Sequence, residues 1–136
     1  MRSCSKKLDE VIVLERKKVL AVLDDLFFTV KINEAAKRAG LDIDFVKSEI
    51  DAVEKAKLRP ALIILDLNCN SVDQLELIPK LKSAVEFKGI SLIGYLSHIQ
   101  GELKQKAYEI GCDTVLARSA FSQNLPLILK RHAGAL

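Results

Sequence analysis

The stretch ALIILD at residues 61–66 decides the fold, because five apolar residues run directly into an aspartate, Asp66. The stretch VLAVLDD at residues 19–25 has the same pattern and ends in Asp24 and Asp25. Unbroken aliphatic runs of this kind are typical of strands that are buried on both faces of a parallel sheet. Ligands of open α/β sheets bind beyond the carboxyl ends of the strands. We therefore expect the three carboxylates to share one pocket.

Three ionised carboxylates in one pocket need a compensating positive charge. Two such charges roughly 5 Å apart in an effective dielectric of about 20 repel each other by about 3 kcal/mol. A divalent metal ion with oxygen ligands would remove this repulsion, and so would a cationic side chain. Asn68 lies two residues beyond Asp66, where its backbone carbonyl can bind a cation or its side chain can form a turn. We expect Asp25→Ala to weaken metal binding and to relieve repulsion.

Apolar periodicity divides the rest of the chain into alternating strands and helices. Ser71 and Gln74 have the spacing of a capping box for the third helix, and Pro79 predicts a kink or a break within it. The alternation, with short connections, predicts a doubly wound five-stranded parallel sheet with helices on both faces. Residues 1–17 are predicted to form a leader, either an extra helix or an edge strand, and residues 18–136 to form one domain. Predicted strands cover 18–23, 41–47, 61–65, 90–96 and 114–117, and predicted helices cover 27–39, 49–57, 72–84, 102–110 and a last segment from Ser122 or Asn124 to Lys130.

Composition excludes several classes of protein. The chain is 49% hydrophobic and 29% charged, which is typical of a folded domain rather than a disordered one. Its 21 basic and 18 acidic residues are spread along the sequence, without the basic stripe of a nucleic-acid binder. No segment has the length of a membrane span or the pattern of a signal peptide, so we expect a cytoplasmic protein with no membrane partner. The three cysteines lack C-x-x-C spacing and are expected to be free thiols.

Motifs of ordinary enzymes are absent from the sequence. There is no glycine-rich phosphate loop and no G-x-S-x-G turn for a nucleophilic serine. A small cofactor-binding enzyme also fits poorly, because an acidic pocket repels an anionic cofactor. We expect a protein that is not an enzyme.

Three further residues follow the fourth and fifth predicted strands on the same edge of the sheet. His98 is either a hydrogen-bonded loop residue or a donor at the acid pocket. Arg118 and Ser119 follow the fifth strand. A guanidinium at that place can neutralise carboxylates or bind phosphoryl oxygens.

This arrangement resembles the receiver domain of two-component response regulators, the CheY-like superfamily with a flavodoxin-like, three-layer α/β/α fold. The resemblance covers about residues 18–131 and is carried by LDD at 23–25, ILDLN at 64–68 and AYEIGCDTVLAR at 107–118. The last stretch is similar to the family pattern A-x-x-x-G-A-x-x-[YF]-[LV]-x-K. The resemblance implies that Asp66 accepts a phosphoryl group, that Arg118 stands in place of the family lysine, and that Mg²⁺ is held by Asp24, Asp25, Asp66 and the backbone carbonyl of Asn68.

Four positions depart from the family pattern. Leu96 stands where the family has Thr or Ser, and the adjacent Ser97 can substitute only if the strand has already ended there. Val115 stands at the aromatic switch position, and the lysine is Arg118. Ser119 replaces a proline that often follows a cis bond, so we predict a trans peptide, since a non-proline cis bond costs about 2.5–4 kcal/mol.

Two hypotheses remain open from the sequence. In the first, the chain is a single-domain receiver that is phosphorylated on Asp66 in the presence of Mg²⁺ by a histidine kinase or phosphotransfer protein. Its output is then contact with a downstream protein. In the second, it is a pseudo-receiver, an interaction module that works without phosphorylation, through a second copy of the chain or another ligand. The predicted rim of the pocket consists of Leu96, Ser97, His98 and Ser119.

Overall fold

The computed structural model describes residues 17–97 and 101–133. Nearly all of the predicted leader, residues 1–17, lies outside this part of the chain. Five parallel strands form one sheet in the order β2-β1-β3-β4-β5. The strands are β1 (Lys18–Val22), β2 (Asp42–Val46), β3 (Leu62–Asp66), β4 (Ser91–Leu96) and β5 (Thr114–Ala117), and the helices are α1 (Leu26–Ala39), α2 (Glu49–Ala56), α3 (Gln74–Ser83), α4 (Gly101–Glu109) and α5 (Arg118–Ala133), with a 3₁₀ turn at Val85–Phe87.

Helices cover both faces of the sheet, which confirms the predicted three-layer α/β/α fold. Successive residues of β3 point to opposite faces, so Ile63 and Leu65 pack on one side while Leu62 and Ile64 pack on the other. All four of these side chains are buried, as the apolar run predicts. One core lies under α1 and α5 and includes Phe28, Ile32, Phe121 and Leu125, and the other lies under α2, α3 and α4 and includes Ala52, Leu77, Ile78 and Ala107.

Two helix ends follow directly from the sequence. Ser48 caps α2, because its Oγ accepts a hydrogen bond of 3.1 Å from the backbone N–H of Asp51. Gly40 ends α1 with a φ of 75°, a left-handed conformation that glycine adopts without the steric cost of a Cβ. Among the described residues, none of the helices combines the length and the apolar composition that a membrane span needs.

Two other helix starts differ from the prediction. The cap of α3 is Asp73 rather than Ser71, and its side chain accepts from the N–H of Leu75 at 3.1 Å. Pro79 lies inside α3 without ending it, although it removes one N–H donor. The last helix begins at Arg118, directly after β5, and not at Ser122 or Asn124. Its buried stripe of Phe121, Leu125, Ile128 and Leu129 has helical spacing from Phe121 onward, which requires this earlier start.

Candidate functional site

The three predicted acids lie at the carboxyl end of the sheet. Asp66 is the last residue of β3, and Asp24 and Asp25 lie in the short connection between β1 and α1. The strands β1 and β3 are hydrogen-bonded neighbours, so the two segments meet at one edge. Asp66 is buried, Asp25 is half-buried and Asp24 is exposed.

The Asp66 carboxyl group is held in an environment that disfavours its charge. Its Oδ1 accepts a hydrogen bond of 2.9 Å from the backbone N–H of Asn68. Burial raises the pKa of Asp66 above its ordinary value of 3.8, and the charges of Asp25 and Asp24 raise it further. The Asn68 N–H and the Arg118 guanidinium act in the opposite direction. The structure therefore brings the three acids and Arg118 into one electrostatic group.

Both carboxylate oxygens of Asp25 are engaged. Oδ1 caps α1 by accepting from the N–H groups of Phe27 at 2.9 Å and Phe28 at 3.3 Å. Oδ2 pairs with Nη2 of Arg118, the first residue of α5. The Arg118 Cζ also lies 4.5 Å from the centre of the Phe28 ring, a cation–π contact. The cationic side chain that the sequence placed near the acids is thus bound to one of them.

Two residues predicted for the pocket rim, Leu96 and Ser97, have different environments at the end of β4. Leu96 ends β4 and is 1% exposed, and it packs in the core under α2, α3 and α4 rather than on the rim. Ser97 lies beyond the strand, which is the condition under which it can substitute for the family hydroxyl. Its N–H and its Oγ both donate to Oδ1 of Asn68, at 2.7 and 3.1 Å. Ser97 therefore joins the site through Asn68.

The other predicted residues have simpler positions. Ser119 is exposed in the first turn of α5, and its peptide bond with Arg118 is trans, as predicted. Val115 is buried in the core, so the switch position carries a packed aliphatic side chain. His98 lies outside the described residues.

Sequence reasoning missed Gln74, which links the two strands that carry the acids. Gln74 is 3% exposed, and its Nε2 donates to the backbone carbonyls of Val22 and Asp66, each at 3.0 Å. The i,i+3 spacing of Ser71 and Gln74 predicts a capping box, in which the Gln74 side chain would lie at the start of the helix. Its burial was not visible in that pattern, because a polar residue in a first turn is ordinarily exposed.

Tyr95 is the second residue that the sequence did not single out. It pairs with Asp66 in the β3–β4 register and is fully buried. Its ring stacks on Phe121 with centroids 4.7 Å apart and contacts Phe28 at 4.9 Å. Burial raises the pKa of Tyr95, and the charges of Asp66 and Asp25 add to this effect. Within the described ranges, its hydroxyl has no hydrogen-bond partner, and neither has Oε1 of Gln74.

The oxygen donors at this edge are of the kind that hard cations prefer, but they do not form a metal site in the described structure. Asp24, Asp66 and the Asn68 carbonyl offer the oxygen ligands that Mg²⁺ prefers. No set of three or more His, Cys, Asp or Glu side chains in the described ranges is arranged to hold a metal ion. Asp25 has its outer oxygen paired with Arg118. The donor types are therefore those of a magnesium site, but the described side chains are not arranged as one.

Many solved structures share this fold. The phosphorylated cyanobacterial phytochrome response regulator RcpA is 25% identical with a TM-score of 0.70, over 86% of this chain and 91% of that one. The chemotaxis response regulator CheY4 of Vibrio cholerae is 22% identical with a TM-score of 0.74, over 87% and 99%. The Mn²⁺-bound form of response regulator Rcp1 is 20% identical with a TM-score of 0.68, over 85% and 90%. No family model matches the chain, and no curated protein matches it.

Proposed function

Because the chain has the receiver-domain fold of response regulators, as its sequence resemblance predicts, we propose that it is a signalling receiver phosphorylated on Asp66. The observation that carries this proposal is the placement of Asp66. Asp66 is the last residue of β3, and its carboxylate is buried. The Asn68 N–H fixes one oxygen of this carboxylate, which also interacts electrostatically with Asp24 and Asp25. A carboxylate so held is oriented before any phosphoryl donor arrives.

The proposed chemistry is transfer of a phosphoryl group to an aspartate oxygen. Since the Asn68 N–H holds Oδ1 of Asp66, we assign Oδ2 as the nucleophile. A bond forms between Oδ2 and phosphorus, while the bond from phosphorus to the donor atom breaks and its electron pair leaves with the donor. Bound Mg²⁺ would shield the negative phosphoryl oxygens. Asp24, Asp66 and the Asn68 carbonyl would hold that ion, together with Asp25 once it is free of Arg118.

The proposed partners follow from the chemistry. A phosphoryl donor is needed, and we propose a histidine kinase or a phosphotransfer protein. We propose that the output is contact with a downstream protein. A neighbouring structure with bound Mn²⁺ supports a divalent cation in receivers of this fold.

A second candidate function has support from a specific contact. The Arg118–Asp25 ion pair neutralises part of the acid group without a metal. Leu96 and Val115, at two positions that sense the phosphoryl group in the family, are core residues here. These observations favour a pseudo-receiver that binds a partner, or a second copy of itself, independently of phosphorylation.

Intact-mass measurement distinguishes the two candidates. The protein is incubated with Mg²⁺ and acetyl phosphate, alongside Asp66→Asn and a control, Asp51→Asn, which changes an exposed aspartate in α2. We expect the wild type and Asp51→Asn to gain the mass of one phosphoryl group and Asp66→Asn to gain none. No gain in the wild type, or an equal gain in Asp66→Asn, would reject phosphorylation on Asp66 and favour the pseudo-receiver.

A further inference from the structure

Gln74 carries a buried side-chain amide between the two strands that hold the acids. Its Nε2 donates hydrogen bonds of 3.0 Å to the backbone carbonyls of Val22 and Asp66. Val22 ends β1 and Asp66 ends β3, so one amide group joins the carboxyl ends of both strands. The last paired residues of these strands are Val22 and Leu65, and the Gln74 amide therefore adds a link where the β1–β3 pairing stops.

We propose that Gln74 is a positioning residue, which sets the distance between the Asp66 carboxylate and the acidic connection after β1. That connection contains Asp24 and Asp25, the second and third residues after Val22. The inference rests on the proposed function and deepens it, because it concerns how the nucleophile of that reaction is held. Gln74 acts through the backbone of Asp66 and not by contact with the phosphoryl group.

The stability of the fold does not account for this side chain. Gln74 is 3% exposed, and among the described residues its Oε1 accepts no hydrogen bond. A buried acceptor without a donor costs about as much free energy as one or two hydrogen bonds contribute. The two bonds from Nε2 are therefore largely offset by the desolvation of Oε1. A buried amide that adds little net stability, and that fixes the place of a proposed nucleophile, is better explained by positioning.

The surroundings of the amide determine its orientation and its effect on Asp66. With the amide reversed, Oε1 would face two carbonyl oxygens without a donor between them. The Asp66 carbonyl also accepts from the Cys69 N–H at 3.0 Å, so two donors hold it. The carboxylate of the same residue accepts from the Asn68 N–H at 2.9 Å. Asp66 is thus held through its backbone and its side chain, and Gln74 supplies the link to the end of β1.

The helix that carries the amide is itself firmly held. Gln74 is the first residue of α3, and Asp73 caps this helix. Leu77 and Ile78, in the next turn, are fully buried in the core. The amide therefore holds Asp66 from a packed element and not from a loop. Small displacements matter at such a site, since a shift of about 1 Å at a reacting group can lower a rate about 100-fold.

Phosphorylation kinetics of the full chain with acetyl phosphate and Mg²⁺ test this role. Gln74→Met fills nearly the same space without an N–H donor, and Gln74→Asn keeps the amide on a side chain that is one methylene shorter. Tyr108→Phe controls for a hydrogen bond lost elsewhere, because the Tyr108 hydroxyl accepts from the Val115 N–H. We expect Gln74→Met to lower the rate constant at saturating acetyl phosphate about tenfold, with little change in the half-saturating concentration. Gln74→Asn should be intermediate, and Tyr108→Phe should match the wild type.

Amide hydrogen exchange followed by NMR gives a readout that does not depend on phosphorylation. The Asn68 N–H is bonded to Oδ1 of Asp66, so its exchange rate reports how firmly the carboxylate is held. The Asp51 N–H, bonded to Oγ of Ser48 at 3.1 Å, is a reference in the same sample. We expect exchange at Asn68 to be about fivefold faster in Gln74→Met than in the wild type, with exchange at Asp51 unchanged.

A saturated rate constant in Gln74→Met equal to that of the wild type, or an equal loss in Tyr108→Phe, would overturn the inference. So would a change confined to the half-saturating concentration, since Gln74 would then affect binding of the donor and not the placement of Asp66. If the wild type is phosphorylated and Gln74→Met changes neither the rate constant nor the exchange at Asn68, this inference alone fails. If the wild type is not phosphorylated, the proposed function fails, and exchange at Asn68 decides the inference: faster exchange supports it and unchanged exchange overturns it.

Discussion

Replacing Tyr95 with phenylalanine should stabilise the protein. The Tyr95 hydroxyl is buried and has no partner among the described residues, and a buried unsatisfied polar group costs about 1–3 kcal/mol. Phenylalanine keeps the ring and its contacts with Phe121 at 4.7 Å and Phe28 at 4.9 Å, so little packing is lost. We therefore expect Tyr95→Phe to raise the free energy of unfolding by about 1–3 kcal/mol.

Thermal and urea denaturation in metal-free buffer measure this effect, with a melting temperature higher by about 4 °C for each kcal/mol. Tyr108→Phe is the matched control, because the Tyr108 hydroxyl accepts a hydrogen bond of 3.1 Å from the N–H of Val115. That control should lose about 0.5–1.5 kcal/mol, so the two variants move in opposite directions. A Tyr95→Phe protein that is no more stable than the wild type would show that the hydroxyl has a partner and would refute the reasoning.

Three other substitutions test the acid site and its supports. Asp66→Asn should raise stability at pH 7 by about 0.5–2 kcal/mol. The pKa of Asp66 is raised in the folded protein, so folded molecules bind more protons than unfolded ones between 3.8 and the raised pKa. The free energy of unfolding therefore falls as the pH rises through that window. Urea denaturation at a series of pH values should show a weaker fall in Asp66→Asn. An equal fall in the variant would contradict the assignment of this pH dependence to Asp66. Gln74→Leu removes the side-chain donor of the Val22 and Asp66 carbonyls together with the unpartnered Oε1, so it should cost about 0.5–1.5 kcal/mol in urea denaturation. A gain in stability would argue against the link. Asp25→Ala should lower the free energy of unfolding by about 1–2 kcal/mol, because it removes the α1 cap and the partner of Arg118. A gain in stability would show that repulsion between the acids dominates.

The backbone was predictable where one pattern dominated. The apolar runs before Asp24 and Asp66 became β1 and β3, since short, unbroken aliphatic runs are typical of strands buried on both faces of a parallel sheet. The predicted bounds of β5 match the structure, and Ser48 and Gly40 end their helices by well-understood backbone chemistry.

The starts of α3 and α5 were not predictable from local signals. Ser71 and Asp73 both precede α3 and both can cap a helix, and only the burial of Gln74 decides between them. For α5, polar residues Ser122 and Asn124 look like caps, but the core needs Phe121 on the helix. Tertiary packing overrode the local preference in both cases.

The sequence predicted which acids lie in the candidate site, but it did not predict the contacts between the side chains of that site. Strand order alone places Asp24, Asp25 and Asp66 at one edge. The pairing of Arg118 with Asp25 depends on where α5 begins and on the Phe28 ring beneath the guanidinium. It also means that in Asp25→Ala the predicted relief of repulsion competes with the loss of the ion pair with Arg118.

Amide NMR spectra with beryllofluoride, an analogue of the phosphoryl group, test the central claim most directly. In the presence of Mg²⁺, we predict that the largest shifts fall at Asp66, Asn68 and Ser97 and at the first turns of α1 and α5, and that Asp66→Asn abolishes them. Asp51→Asn should respond as the wild type does. Spectra that do not change with Mg²⁺ and beryllofluoride, or shifts that persist in Asp66→Asn, would contradict a phosphoryl site built on Asp66.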